Sequence, residues 1–385
     1  MILAGDIGAK KSFLGIFQED EEGEAILVFP SDGPKEDDTA DYSSIDSLIE
    51  TFLQQANVKE PIYAACLGIS GPPDKGYITG LPWNFSEEYL CDFWVKQVWQ
   101  KAACEDAKEL RIVTVINSLE GIDFNGLLKS KLLHDINQPK TTTVEHPKCA
   151  LMGVRDGLGE ALVYWGHPPT DLHGEERYVV SFSEGGHANF APSSNLEIEL
   201  LNYLLTHPEH INEHSKVVTY QNVLSIKGMV CMYQFFKDKH GGDQNAPNGL
   251  EELINKEDFT NAAKKVMITA LEKKNTSCEK AIDLFFSIYG AEAGNLALKY
   301  YALGGVYYIH GSLTPPELIG ELVEKLKDTD GAFWQAFTRR AKPQIVDLLS
   351  SIPVKLVQSP NIRIYGAARR ALKKKSIARI IYDGC

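Results

Sequence analysis

Glu184 and His187 lie three residues apart, joined by Gly185 and Gly186, inside the stretch SFSEGGHANFAP of residues 181–192. Two consecutive glycines let a backbone turn tightly and approach a neighbour or a ligand closely. A carboxylate only accepts hydrogen bonds, whereas a neutral imidazole both donates and accepts. Held in one turn, the two suit a ligand rich in hydroxyls. The same spacing also reads as a Gly-Gly hairpin turn carrying two surface polar residues. Spacing alone leaves both readings open.

The rest of the chain predicts an α/β protein. Ile2–Phe17 reads as strand, tight turn and strand, and Ile62–Ile69 as a buried strand. Glu19–Asp46, acidic and holding Pro30, Gly33 and Pro34, reads as turn and loop. Ile45, Leu48, Ile49, Phe52 and Leu53 line one face of a helix over 44–56. Ser86, followed by Glu87 and Glu88, is a candidate N-cap with an acidic first turn. Arg111–Asn117, RIVTVIN, is a β-branched strand, and a helix is expected over 119–133. Cys149–Tyr164 reads as strand, turn and strand. Helices are expected near 196–205, 229–236, 256–273 and 279–298, then after Pro316, with a strand at 354–358. Small residues in YGAEAGNLA, 289–297, permit close helix packing.

A length of 385 residues predicts two or three domains. The net charge of −13 argues against a nucleic-acid partner and an anionic membrane surface. Arg369, Arg370, Lys373, Lys374, Lys375 and Arg379 run against that trend, at the spacing of a solvated helix face. No apolar run is long enough to span a bilayer. The acidic start, MILAGD, is not a signal-peptide pattern. Seven scattered cysteines suggest free thiols. A cytoplasmic location is expected.

The words SEGGHANFAP resemble the sugar-binding signature of the bacterial-type glucokinase family. The likeness runs in order from about residue 2 to 380. It implies the two-domain sugar-kinase fold (actin-like ATPase, ribonuclease H-like), with an inter-domain cleft. The small α/β domain is expected at 1–117 plus about 365–385, and the large one at 118–364. The family reaction turns ATP and glucose into ADP and glucose 6-phosphate. Glucose or a related hexose is the expected partner, ATP with Mg²⁺ the cofactor, and a homodimer the expected assembly.

Carried over residue by residue, Asn117, Glu184 and His187 would hold sugar hydroxyls. Gln221 stands where the family has a glutamate. Asp6, Gly8 and Lys10 lie in the first phosphate turn, with Asp6 indirectly beside the metal. That turn is Asp-x-Gly-Gly-Thr in the family but DIGAKK in residues 6–11. Gly153, Asp156 and Gly157 belong to the second loop, where Arg155 and Asp156 replace a glycine and a threonine. Gly304, Gly305 and Gly311 match the adenosine loop. The family strand ends Ile-Asn-Asp, and the aspartate is the general base. Here it ends Ile116-Asn117-Ser118. Positioned acid–base groups contribute about 10²–10⁴-fold in rate. The expectation is a sugar site that survives with phosphoryl transfer lost or much weakened. The alternatives are an active kinase with Glu120 or Asp123 as base, and a non-catalytic regulatory or interaction protein.

Overall fold

The computed structural model describes residues 1–57, 60, 62–85, 89–90, 112–137, 139, 143–167, 176–207, 217–242, 245–309, 315–358 and 361–383. Ser86–Glu88 and Gly311 lie outside them. The chain divides into two units, Met1–Lys129 with Asn361–Cys385, and Ser130–Pro360.

In the first unit, β1 (Ile2–Ile7) pairs antiparallel with β2 (Lys11–Glu19) through a tight turn. Across this hairpin come β3 (Ala25–Phe29) and β4 (Lys35–Asp38), both pairing with β2. These two strands lie in the segment expected to be loop. β4 reads KEDD and alternates between half-buried and exposed, so it carries no hydrophobic signal. Backbone pairing and the Lys11 ammonium, 3.2 Å from Glu36 and 2.9 Å from Asp38, hold it to β2.

On the other side, β1 runs parallel to β5 (Ala64–Ile69), and β5 parallel to β6 (Ile112–Asn117). β1 and β5 are buried at every position, as strands covered on both faces should be. One face packs on α1 (Ile45–Ala56) through Ile45, Leu48, Ile49 and Phe52. Ser44 and Ser47 cap α1 reciprocally. The other face is covered by the C-terminal helix Ile362–Asp383, whose Ile364, Ala367, Ala368, Ala371 and Leu372 meet Ile2, Ala4, Ala64, Cys66 and Ile116.

The helix expected over 119–133 does not form as one piece. Residues 118–121 turn instead, with Glu120 and Gly121 N–H groups donating to the Asn117 carbonyl. A Cβ on Gly121 would come 2.9 Å from the Arg363 carbonyl, so this turn is pressed against the C-terminal helix. Only then does the short α2 (Phe124–Lys129) begin. α2 is tied to the C-terminal helix through Asp123 and Arg369, and belongs with it to the first unit.

In the second unit the strand order is β10-β9-β8-β11-β12-β7. The strands are β7 (Leu133–Asp135), β8 (Cys149–Val154), β9 (Leu158–Gly166), β10 (Arg177–Ser183), β11 (Gly305–Ile309) and β12 (Val354–Val357). β7 begins at Leu133, the last residue of the expected helix, and runs on beyond it. It closes the sheet edge antiparallel to β12. The helices in chain order are α3 (Asn195–Thr206), α4 (Tyr220–Val223), α5 (Ile226–Lys239), α6 (Leu250–Asn255), α7 (Phe259–Leu271), α8 (Thr276–Tyr300), α9 (Ile319–Lys327), α10 (Ala332–Thr338) and α11 (Pro343–Ser350). The unit's main core joins β8, β11 and β12 to α5, α7, α8 and α10. α8 and α10 pack closely, because a Cβ on Gly290 or Gly294 would come 2.2 or 2.6 Å from the Phe333 or Phe337 carbonyl.

Cys66, Cys149, Cys231 and Cys278 are buried and form no disulfide. No described helix is long and apolar enough to cross a membrane.

Candidate active site

β10 ends at Ser183, and the chain then makes a 3₁₀ turn over Gly185–His187. This is not a hairpin turn, and the two glycines do not supply positive φ. They supply closeness. A Cβ on Gly186 would stand 2.1 Å from the Leu158 carbonyl oxygen, and one on Gly185 would stand 2.0 Å from Glu160 Oε2. The turn therefore presses on β9. Its backbone closes through His187 N–H to the Glu184 carbonyl at 3.0 Å and Ala188 N–H to the Gly185 carbonyl at 2.9 Å. Glu184 and His187 emerge side by side, with Glu184 Oε2 3.6 Å from His187 Nε2 and both side chains 44% exposed. Partial burial raises the Glu184 carboxyl above the usual range, and His187 opposes that rise. The pair can offer an acceptor and a donor to adjacent hydroxyls.

Gln221, on α4, turns toward the loop between β8 and β9. A Cβ on Gly157 would be 2.6 Å from Gln221 Oε1, so the amide fills the space that glycine leaves. Gly153 pairs with Gly159 within the hairpin. Arg155 Nε lies 4.0 Å from Asp156 Oδ2, so the Asp156 carboxylate has a cation beside it. The Arg155 N–H donates to the Gly157 carbonyl at 3.0 Å. The loop keeps its tight shape, but this donor is turned inward.

Gly304 and Gly305 lie at the start of β11. Cβ atoms there would meet Cys149 Sγ and the Pro147 carbonyl, or the Pro353 carbonyl. Their closeness serves the sheet. Gly311, beyond the other end of β11, is outside the described residues.

In the first unit, Gly8 N–H closes the β1–β2 turn on the Lys11 carbonyl at 3.0 Å, and Lys10 is exposed at its tip. Asp6 is 3% exposed at the carboxyl end of β1. Ser118 follows β6 and is 6% exposed. Ser118 Oγ donates to Asp6 Oδ1 at 2.5 Å. Arg363 Nη1 lies 3.9 Å from Asp6 Oδ2. β5 runs between them with Gly68 at the crossing point, where a Cβ would come 3.3 Å from Ser118 Cα. Among the described residues no group of three or more His, Cys, Asp or Glu is placed to hold a metal ion. Asp6 remains the buried carboxylate at this strand end.

Asn117 uses both ends of its amide inside the fold. Nδ2 donates to the Gly71 carbonyl at 3.0 Å, and Oδ1 accepts from Leu119 N–H at 2.9 Å. One N–H and one lone pair are left for a ligand. Asp123 begins α2, accepting from Gly126 N–H at 3.1 Å, and its other oxygen pairs with Arg369. Glu120 accepts from the Asn117 N–H at 3.3 Å. Burial raises its carboxyl above the usual range, while Arg370 and that hydrogen bond oppose the rise. Both candidate substitute bases thus have structural partners. Arg369 and Arg370 face acids of their own unit, so this part of the basic run is not only a solvated face.

Sequence reasoning missed Glu160 and Glu292, each 2% exposed. Glu160, on β9, lies under Gly185, and its Oε1 has no hydrogen-bond partner. Burial first, then Glu292, pushes its carboxyl up to about 7, against the pull of Lys299. Glu292, on α8, is held by Asn295 Nδ2 at 2.8 Å and Lys299 Nζ at 3.1 Å. The available signal was a charged residue at an inward position of an otherwise apolar strand and helix.

A family model described as Glucokinase matches residues 3–374. The glucokinase of Trichormus variabilis is 29% identical over 382 residues, covering 96% of this chain and 98% of that protein. Among solved structures, a glucokinase from an Antarctic psychrotroph aligns with a TM-score of 0.60 at 23% identity, covering 97% of this chain and 98% of the other. The glucokinase of Balamuthia mandrillaris in complex with glucose aligns with a TM-score of 0.65 at 17% identity, covering 96% and 94%. At those identities the structural likeness shows the fold, which is the two-domain α/β fold of sugar kinases. The sequence match extends over nearly the whole chain, and the chain belongs to the glucokinase family.

Proposed function

We propose that this protein binds glucose or a related hexose through the turn bearing Glu184 and His187, and that it transfers a phosphoryl group from ATP only slowly. The observation that carries the reading is the state of position 118. A serine stands where the resemblance places the proton acceptor, and the nearby carboxylates have other work. Asp123 caps α2 and pairs with Arg369, and Glu120 accepts from the Asn117 backbone. Support for the sugar half comes from the Gly185–His187 turn, whose shape two close approaches to β9 enforce.

On the nucleotide side, Lys10 and Arg155 supply positive charge near the two turns, and Asp156 works against it. Mg²⁺ would travel with the triphosphate oxygens, with Asp6 as the carboxylate of the first turn. A cytoplasmic location and a homodimer belong to the same proposal.

Titration calorimetry with glucose, beside a coupled assay for glucose 6-phosphate with ATP and magnesium, tests it. The expected result is saturable glucose binding with turnover well below the ~1–10³ s⁻¹ usual for enzymes. Turnover inside that range overturns the slow-transfer half. Absence of glucose binding overturns the whole.

A further inference from the structure

We infer that Glu160 is a positioning residue of the sugar turn: its carboxyl carries a proton while a hexose is held, and loss of that proton loosens the turn and weakens hexose binding. The inference rests on the reading above, since it takes Glu184 and His187 as the groups that hold the sugar.

Glu160 lies directly beneath the turn. Its Oε2 fills the place that a side chain on Gly185 would take, 2.0 Å from the position of that Cβ. Its backbone reaches the same turn, because Ser183 Oγ donates to the Glu160 carbonyl at 3.2 Å and accepts from Gly185 N–H at 3.2 Å. Within the sheet Glu160 sits between Met152 of β8 and Ser183 of β10. The residue is almost wholly buried, and Oε1 has no hydrogen-bond partner.

The groups around Glu160 decide its charge. Glu292, Tyr289 and Tyr300 of α8 face it, and so does Tyr220 of α4. Lys299 Nζ donates to Glu292 at 3.1 Å and Asn295 Nδ2 at 2.8 Å. The Tyr220 phenol also bonds Glu292, and Arg340 faces it. The donors and the cations therefore gather on Glu292, and Glu160 is left without them. Two carboxylates buried side by side do not both stay ionised, and the one without partners takes the proton. Glu184 and His187 are the ionisable groups of the turn itself.

A neutral Glu160 packs as the floor of the turn, whereas an ionised one needs donors or water. β8 and β10 bind β9 on either side. The turn is closed by two backbone hydrogen bonds, and Glu184, His187 and Ala188 are exposed. Water thus reaches the carboxylate by way of the turn, at the expense of the geometry that sets Glu184 beside His187. A hexose that binds the closed turn binds the protonated form better, and takes up a proton wherever Glu160 would otherwise be ionised.

The test titrates the full chain with glucose in a calorimeter at pH 6 and pH 8. Each pH is run in two buffers of different ionisation enthalpy, which counts the protons exchanged. The Glu160 carboxyl is pushed up to about 7, so wild-type affinity should fall by about tenfold over that range, with uptake of about one proton at pH 8. Glu160→Gln, which cannot ionise, should show affinities within about twofold of each other at the two pH values and no such uptake. Glu160→Met, which has no proton to lose, should behave alike. Glu184 and His187 remain in both variants, so the difference from the wild type belongs to Glu160. A role in packing alone would leave wild-type affinity level with pH. Infrared spectra of the wild type keep the test decisive if neither variant folds. Glucose added at pH 8 should then raise the absorption of protonated carboxyl, which uptake by His187 would not. Glucose binding that is level from pH 6 to pH 8, or a pH dependence that survives in Glu160→Gln, overturns the inference alone. So does an unchanged carboxyl absorption. No glucose binding at either pH overturns the underlying reading and the inference with it.

Discussion

Arg369 of the C-terminal helix holds Asp123 at the first turn of α2 and also reaches Glu24, with Nη2 2.6 Å from Glu24 Oε2. Both oxygens of Asp123 are thus tied into the fold. Asp123→Ala should lower stability by about 1–2 kcal/mol, chiefly through the lost helix cap, and leave kcat within about twofold. Chemical denaturation and the coupled assay check both. A tenfold loss of kcat in a folded variant would return Asp123 to the role of base.

Ser118→Asp places a carboxylate directly at the end of β6. Turnover of glucose should rise by about 10²-fold, the lower part of the range for a positioned base. Glucose affinity by calorimetry should change little. An unchanged kcat would locate the main deficit in the phosphate turns instead, with Asp156 the first residue to examine.

The turn that presents Glu184 and His187 depends on an atom that position 186 lacks. Gly186→Ala would push a methyl against the Leu158 backbone. Backbone cannot rotate aside as a side chain can. We expect a loss of about 2–3 kcal/mol in stability and at least about tenfold weaker glucose binding, since the cost falls on the turn itself. Wild-type glucose affinity in this variant would remove Glu184 and His187 from the sugar site.

Glu160 makes stability depend on pH. Its carboxyl is raised to about 7 in the folded protein, against about 4.3 in an unfolded chain. Below the lower value it is neutral in both states and contributes no penalty. Between the two, the folded state keeps a proton that the unfolded chain has released, so stability falls as pH rises. Above 7 the penalty is complete, about 4 kcal/mol as an upper bound. Glu160→Gln should flatten this slope, gaining stability at pH 8 and little at pH 5. Urea denaturation at the two pH values measures it.

The central strands and α1 were legible because apolar residues repeat with the period of each element. Ile45, Leu48, Ile49 and Phe52 are all buried on α1. β4 was not legible, because KEDD is held by backbone pairing and ion pairs. The helix expected from Leu119 failed for a non-local reason. Gly121 is pressed on Arg363, more than two hundred residues later, and no local pattern encodes that contact. At the site, the EGGH words pointed correctly to a tight turn, but the demand for glycine comes from β9. The Ser118–Asp6 bond joins the ends of two strands with a third between them, so only the sheet order discloses it.

The sheet face formed by Ile2, Ala4, Ala64, Cys66 and Ile116 is covered by residues 364–372, which the ribosome reaches only after those strands are long made. Between the two parts comes the whole second unit, Ser130–Pro360. At synthesis rates of roughly 5–20 residues per second, that interval lasts on the order of 10–50 s. For that time the nascent N-terminal sheet carries a greasy face without its cover. A product cut short before Leu372 would leave this apolar face bare, the condition that favours aggregation.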